Sequence, residues 1–82
     1  MQGTVIHIKP QGVIAVLDGV PEVGDLFEVY RIQDDEEVIL ATGYFRKIKD
    51  GAYKINPMDK PDGSRGIPFV GVVVGDLVRR IS

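Results

Sequence analysis

The residues best placed for chemistry are two aspartates that occur in the same short sequence. Asp25 and Asp76 each follow a glycine in the tetrapeptide Val-Gly-Asp-Leu, which the chain contains twice. Two neighbouring carboxyl groups could act as acid and base. A Gly-Asp turn offers another use, because aspartate binds nearby backbone N–H groups and glycine adopts the backbone angles of tight turns. We therefore predict structural turns at Gly24, Asp25, Gly75 and Asp76, not a catalytic pair.

The other residue types offer little to catalysis. The chain has no cysteine, which excludes disulfides, cysteine-based zinc sites and thiol nucleophiles. His7 is the only histidine, so a metal site would need carboxylates from distant strands, and we interpret His7 as a surface strand residue. P-loop, serine-elbow and His-Glu-x-x-His motifs do not occur in the sequence. We expect no enzyme, no catalytic residue, no metal and no cofactor.

The segments around these turns have the pattern of β-strands. Residues 4–9 alternate between two faces, and residues 13–17 are almost wholly apolar, as in a barrel wall or a covered central strand. The last two strands are predicted at Phe69 to Val74 and at Leu77 to Ile81. No ten-residue segment has apolar positions at helical spacing. The sequence predicts an all-β fold, a small closed or partly open barrel of six to seven strands.

The repeated tetrapeptide belongs to a wider duplication with pseudo-twofold character. Gly3 to Lys9 matches Gly43 to Lys49 at an offset of 40, whereas the second Gly-Asp turn lies at an offset of 51. The difference is an insertion rich in proline and glycine, and long loops in small domains are often functional. We predict one domain over residues 1–82, with half-repeats at about 1–32 and 42–82 and an inserted loop at 56–68.

The Gly-Asp sequences and the strands after them resemble a known family. Residues 23–31, a polar stretch, a strand pair beginning near Gly43 and the closing residues 75–79 look like the C-terminal barrel domain of the bacterial flagellar assembly protein T and its envelope-associated relatives. More broadly, they are similar to the cradle-loop barrels that carry a paired GD box. The resemblance implies a non-catalytic assembly or adaptor module, and no catalytic residues carry over.

The primary functional prediction is therefore a non-catalytic protein-binding or assembly module. Its best contact residue is Arg65 in the inserted loop, next to Ser64 and close to Ile67, because a loop arginine beside apolar neighbours resembles an interface anchor. Tyr30 and Phe69 are secondary candidates. The sequence leaves the identity of the protein partner open.

A single-stranded nucleic-acid-binding domain is the first alternative. Residues 3–8 and 12–20 are similar to the opening hairpin of RNA-binding OB-fold repeats, and residues 43–55 carry a net charge of +3 among aromatics. The candidate contacts are Tyr44, Arg46, Lys47, Tyr53 and Lys54. Adjacent strand residues point to opposite faces, so Arg46 and Lys47 are not expected to share one patch.

Acidic side chains dominate residues 18–37, which hold eight carboxylates against Arg31 alone. The run Asp34-Asp35-Glu36-Glu37 is interpreted as a solvated turn or, in a second alternative, as the working surface of a small acidic inhibitor. Attraction between the acidic and basic parts would produce salt-sensitive self-association.

Neither a membrane-spanning run nor a signal peptide is visible in the sequence, so we expect no membrane insertion. Localisation stays open at this stage. We expect the cytoplasm if the chain is complete, and the cell envelope if it is a domain of a longer secreted protein.

Overall fold

The computed structural model describes residues 1–58 and 69–82, which contain six β-strands and no helix. Every pair of neighbouring strands is antiparallel, and the strands close into a barrel in the order β1-β2-β5-β4-β3-β6. The predicted all-β barrel is confirmed, in its closed form. The strands are β1 (Gln2–Lys9), β2 (Gly12–Leu17), β3 (Leu26–Gln33), β4 (Glu36–Lys49), β5 (Ala52–Pro57) and β6 (Leu77–Arg80).

The barrel interior is filled by alternate residues of the strands. Phe27, Phe45 and Phe69 supply the large side chains, and smaller apolar residues fill the space between them. Burying each valine or phenylalanine side chain contributes roughly 1.5–3 kcal/mol, and such burial is the main stabilising term in a chain without disulfides. The core residues are Val5, Val13, Ala15, Phe27, Val29, Phe45, Ile55, Phe69, Val72 and Val78.

Two hairpins close through two-residue turns with positive φ at both positions. Asp50 and Gly51 have φ of 51° and 78° between the paired residues Lys49 and Ala52. Asp34 and Asp35 have φ of 52° and 64° and join β3 to β4. Aspartate tolerates the left-handed region better than most residues, and such turns follow the right-handed twist of the strands. The acidic run therefore begins at the tip of a hairpin.

The strand registers give the barrel a pseudo-twofold symmetry. Phe27 of β3 pairs with Gly43 of β4, and the equivalent pair joins Val78 of β6 to Gly3 of β1. Phe27 and Val78 are related by the sequence offset of 51, and Gly3 and Gly43 are related by the offset of 40. In two further pairs, Glu28 with Arg79 and Ile14 with Lys54, each residue is paired with its own equivalent in the other half. The pseudo-twofold axis therefore passes through these two pairs, which lie on opposite walls of the barrel.

A β-bulge interrupts β1 after Val5, and another interrupts β4 after Phe45. In β4, Phe45 pairs with Ile55 and the next paired residue is Lys47, so Arg46 is the extra residue. Arg46 and Lys47 are both exposed. The expectation that these two side chains point to opposite faces is wrong, because the bulge breaks the alternation of the strand.

The segment before β6 differs from the prediction. Residues 69–74 are not a strand, because Gly71 makes a turn with φ of 84° and Phe69 and Val72 insert into the core. At the other end of the predicted insertion, β5 continues to Pro57, which pairs with Gly43. The rest of the insertion, residues 59–68, lies outside the described residues.

Candidate binding face

Five basic side chains cluster at the point where the pseudo-twofold axis passes between β2 and β5. Lys54 lies at the centre, because it pairs with Ile14 on one side and with Lys47 on the other. We call this surface the basic face. Its residues are Lys9, Arg46, Lys47, Lys49 and Lys54, all exposed or half-buried.

The cations of the basic face repel one another. Lys47 and Lys54 are direct cross-strand partners, an arrangement that is destabilising for like charges. Partial burial lowers the pKa of Lys54, and the positive charges of Lys47, Lys49, Lys9 and Arg46 lower the pKa further. The face is thus a concentration of positive charge that costs the folded chain free energy.

No salt bridge between described residues involves the basic face. The basic partners in those salt bridges are Arg31, Arg79 and Arg80. Ile14 is buried but lies outside the core cluster, with His7 and Lys54 as its cross-strand partners. The lysine chains can cover such a residue with their methylene groups while their ammonium groups stay in water.

The structure groups the predicted nucleic-acid contacts only in part. Arg46, Lys47 and Lys54 lie together, whereas Tyr53 packs edge-on against Phe45 with a centroid distance of 5.7 Å. Tyr44 is half-buried between Leu26 and Asn56 of the neighbouring strands. Neither tyrosine therefore offers an open ring beside Lys54.

The candidate contacts predicted from the sequence include neither Lys9 nor Lys49, which also belong to this face. The signal was present, because these two lysines occupy matching positions of the duplication at an offset of 40. A twofold relation about Ile14 and Lys54 places both of them near the same axis.

The predicted protein-contact residues have different positions. Arg65, Ser64 and Ile67 lie outside the described residues. Phe69 is 8% exposed within the core, and Tyr30 is 7% exposed with the Arg79 guanidinium 4.3 Å from its ring centroid. Both rings are therefore largely buried, and little of either surface is open to a partner.

On the opposite wall, a basic side chain is paired with carboxylates. Arg79 donates hydrogen bonds to Glu37 Oε2 at 2.7 Å and to Glu28 Oε1 at 2.6 Å, and these bonds raise the pKa of Arg79. Its charge also lies over the ring of Tyr30. The two walls that the axis crosses therefore differ: among the described residues, Arg79 on one wall is paired with carboxylates, whereas the cations of the basic face form no salt bridge.

The carboxylates of the Gly-Asp turns bind separate backbone groups. Asp25 Oδ2 accepts the Glu22 N–H at 2.9 Å, and Asp76 Oδ2 accepts the Val73 N–H at 2.8 Å. Asp76 also binds Arg31 through both carboxylate oxygens, which lowers the pKa of Asp76. Each carboxylate is engaged in holding its own turn.

Further observations bear on the class of protein. Within residues 1–58 and 69–82, no three histidine or acidic side chains are grouped to hold a metal ion. None of the described segments forms a helix long and apolar enough to span a membrane. The fold and the face define a small closed β-barrel with one basic wall whose side chains form no salt bridge to a described residue. Comparisons with known protein families, curated proteins and solved structures gave no significant match to the chain.

Proposed function

We propose that this chain is a non-catalytic binding module that holds an acidic partner protein on its basic face. The observation that supports the proposal is the cross-strand pairing of Lys47 with Lys54, with further cations around it and no ion pair to any described residue. The negative charge of an anionic partner would offset the repulsion among these cations and would increase the association rate.

A protein partner fits this face better than a single-stranded nucleic acid. Sequence-tolerant strand binding combines backbone cations with aromatic rings on which bases stack. The basic face has the cations, but the ring of Tyr53 is engaged with Phe45. The chain also has a net charge of −2, whereas nucleic-acid-binding domains tend to be strongly basic. Nucleic acid is retained as the second candidate because the β4 bulge places Arg46 and Lys47 on one exposed surface.

The assembly role proposed from the sequence is compatible with this face. The resemblance to the flagellar assembly protein T barrel supports an adaptor that presents surfaces to other proteins. Arg65, Ser64 and Ile67 remain proposed as a second contact. The two surfaces can be separated by mutation, because none of the basic-face residues lies in the inserted loop.

The test is fluorescence anisotropy at low salt with two labelled probes, a ten-residue glutamate peptide and a 20-nucleotide oligothymidylate. We expect the peptide to bind with a micromolar dissociation constant and to be released by salt. The double substitution Lys47→Gln and Lys54→Gln should weaken binding at least tenfold. It removes two positive charges from the centre of the face.

A matched control changes the net charge equally at a distant place. Gln2→Glu and Val70→Glu each add one negative charge, and both residues are exposed beside the opposite wall, since Gln2 pairs with Arg79 and Val70 precedes Gly71, whose carbonyl binds Arg31. We expect this control to bind the peptide nearly as well as the wild-type chain. Equal weakening in both variants would show an effect of net charge alone and would contradict the basic face as the site. Binding of oligothymidylate but not of the peptide would favour the nucleic-acid candidate.

A further inference from the structure

A ribbon of two strands projects beyond the barrel ring. β6 pairs with β3 only as far as Tyr30, and β5 pairs with β4 only from Gly43 onwards. Beyond these points, β3 and β4 pair with each other, ending at Gln33 opposite Glu36. We call residues 31–39 the acidic arm. Its tip is the two-residue turn at Asp34 and Asp35.

The acidic arm carries charge that the described residues leave uncompensated. Asp34, Asp35 and Glu36 are exposed, and no salt bridge between described residues involves them. Glu37 differs, because it accepts a hydrogen bond from Arg79. Ile32 and Ile39 are 53% and 49% exposed on the same arm. The arm therefore combines three carboxylates that form no salt bridge to a described residue with exposed apolar side chains, which is the composition of an interface rim and its contact residues.

The acidic arm and the basic face of one molecule cannot meet. Both are built on β4, with Glu36 at its first residue and Arg46 ten residues later. At roughly 3.3 Å per residue this separation along the strand is about 33 Å. The acidic arm and the basic face can therefore compensate each other's charge only between molecules.

We propose that the acidic arm of one copy docks onto the basic face of a second copy, so that the chain associates head to tail. This inference rests on the proposed function, because it names a second copy of the chain as one acidic partner of the basic face. The contact joins two different surfaces, so each docked copy still offers a free arm and a free face. Such heterologous contacts produce rings or open chains instead of simple dimers.

Sedimentation equilibrium at low and high salt tests the association. We expect the average mass to exceed 9.0 kDa at low salt, to grow with protein concentration and to return to the monomer value in 0.5 M salt. The face variant carries Lys47→Gln and Lys54→Gln. The arm variant carries Asp34→Asn and Asp35→Asn, because asparagine keeps the positive φ of the turn and removes only the charge.

Mixing these two variants provides the decisive measurement. Each variant alone has lost one of the two surfaces and should associate at least tenfold more weakly than the wild-type chain. In an equal mixture, the intact arm of the face variant meets the intact face of the arm variant. We expect a dimer and nothing larger, since neither partner can extend the assembly.

The outcomes separate this inference from the proposed function. A wild-type chain that stays monomeric at low salt but binds the glutamate peptide would overturn head-to-tail association and leave the proposed function standing. A monomer that does not bind the peptide would overturn both. Association that survives in each variant alone would show that other surfaces are responsible, which also overturns the inference.

Discussion

The turn at Gly24-Asp25 and the turn at Gly75-Asp76 have equivalent backbone hydrogen bonds and similar glycine φ angles. In the first, the Gly24 N–H donates to the Phe45 carbonyl at 3.1 Å, and the Phe45 N–H donates to the Asp25 carbonyl at 2.9 Å. In the second, Gly75 and Asp76 make the same two bonds with Val5, at 2.9 and 2.8 Å. The glycines have φ of 93° and 100°, values that other residues rarely adopt.

The carboxylates of the two turns have different partners. Asp76 is 3% exposed, and Arg31 donates to it from Nε at 2.7 Å and from Nη2 at 2.8 Å. The same Nη2 donates to the Gly71 carbonyl at 3.0 Å. Among the described side chains, the cation that pairs with Asp25 is Arg80, whose Nη1 lies 3.6 Å from Asp25 Oδ2. One turn is therefore held by a two-point ion pair, and the other by a long contact.

The difference follows from what each turn has to hold. The chain returns to the barrel at Phe69 and sends Phe69 and Val72 into the core before it reaches Asp76. Arg31 binds both the turn and the carbonyl of Gly71, so it fastens this returning segment to β3. The first turn is approached from Asp18 to Val23, where Pro21 alone is buried. Both halves therefore have the turn, and the second half adds the Arg31–Asp76 ion pair, which holds the segment that contributes Phe69 and Val72 to the core.

The largest effect should separate the two aspartates. Asp76→Ala leaves the Arg31 guanidinium and the Val73 N–H without their acceptor, so we expect a loss of about 3 kcal/mol in the free energy of unfolding. This value is at the low end for a buried pair because the Arg31 side chain is 34% exposed. Asp25→Ala removes one backbone acceptor and should cost about 1 kcal/mol. Urea denaturation measures both losses, and equal losses would contradict the difference between the turns.

The pH dependence of stability should reveal the same ion pair. The hydrogen bonds from Arg31 are the main cause that lowers the pKa of Asp76 below its ordinary value of 3.8. A carboxyl group with a lowered pKa in the folded state contributes its full stability above its ordinary value. That contribution is lost as the pH falls below 3.8 through the lowered value.

The measurement compares the wild-type chain with Asp76→Asn, which cannot ionise at this position. The difference in unfolding free energy between the two should be constant near neutral pH and should shrink below pH 3.8. A difference that stays the same down to pH 2 would show that the charge of Asp76 does not stabilise the fold.

Much of this comparison was visible in the sequence. The repeated Val-Gly-Asp-Leu and the two offsets predicted equivalent turns, because a Gly-Asp pair encodes its backbone locally. The bulge in β4 also left a signal, since Phe45 and Ile48 are three residues apart where strict alternation requires two. The same three-residue interval separates Val5 from Ile8 in β1. A spacing of three residues between successive apolar residues of a strand pattern indicates a bulge, and this spacing predicts that Arg46 and Lys47 share one surface.

The fastening of the second turn was not visible in the sequence. Arg31 and Asp76 are 45 residues apart, and no local pattern pairs an arginine in one strand with one particular aspartate. The apolar residues from Phe69 to Val74 were interpreted as a strand because they suit a sheet. In the structure, tertiary packing overrides that preference, since the barrel core takes Phe69 and Val72 from a turn. Long-range contacts decided what local propensity could not.

The smallest effect concerns the two-point ion pair that the second turn has and the first turn lacks. Arg31 lies six residues after Asp25, and the equivalent position six residues after Asp76 is Ser82. The Ser82 carbonyl accepts the Leu26 N–H at 2.8 Å, so residue 82 already lies beside the strand that follows the first turn. Ser82→Arg would place an arginine where the pseudo-twofold symmetry requires a partner for Asp25. We expect a gain of less than about 1 kcal/mol, because the pair would be exposed to solvent.

A double-mutant cycle measures whether this gain belongs to the new pair. Ser82→Arg should add stability to the wild-type chain and none to the Asp25→Ala variant. Ser82→Gln has a long polar side chain without charge and should leave the stability of the wild-type chain unchanged. If Ser82→Arg still increased stability in the Asp25→Ala variant, the new arginine would act through a group other than Asp25. The equivalence of the two turns would then be limited to their backbone conformation.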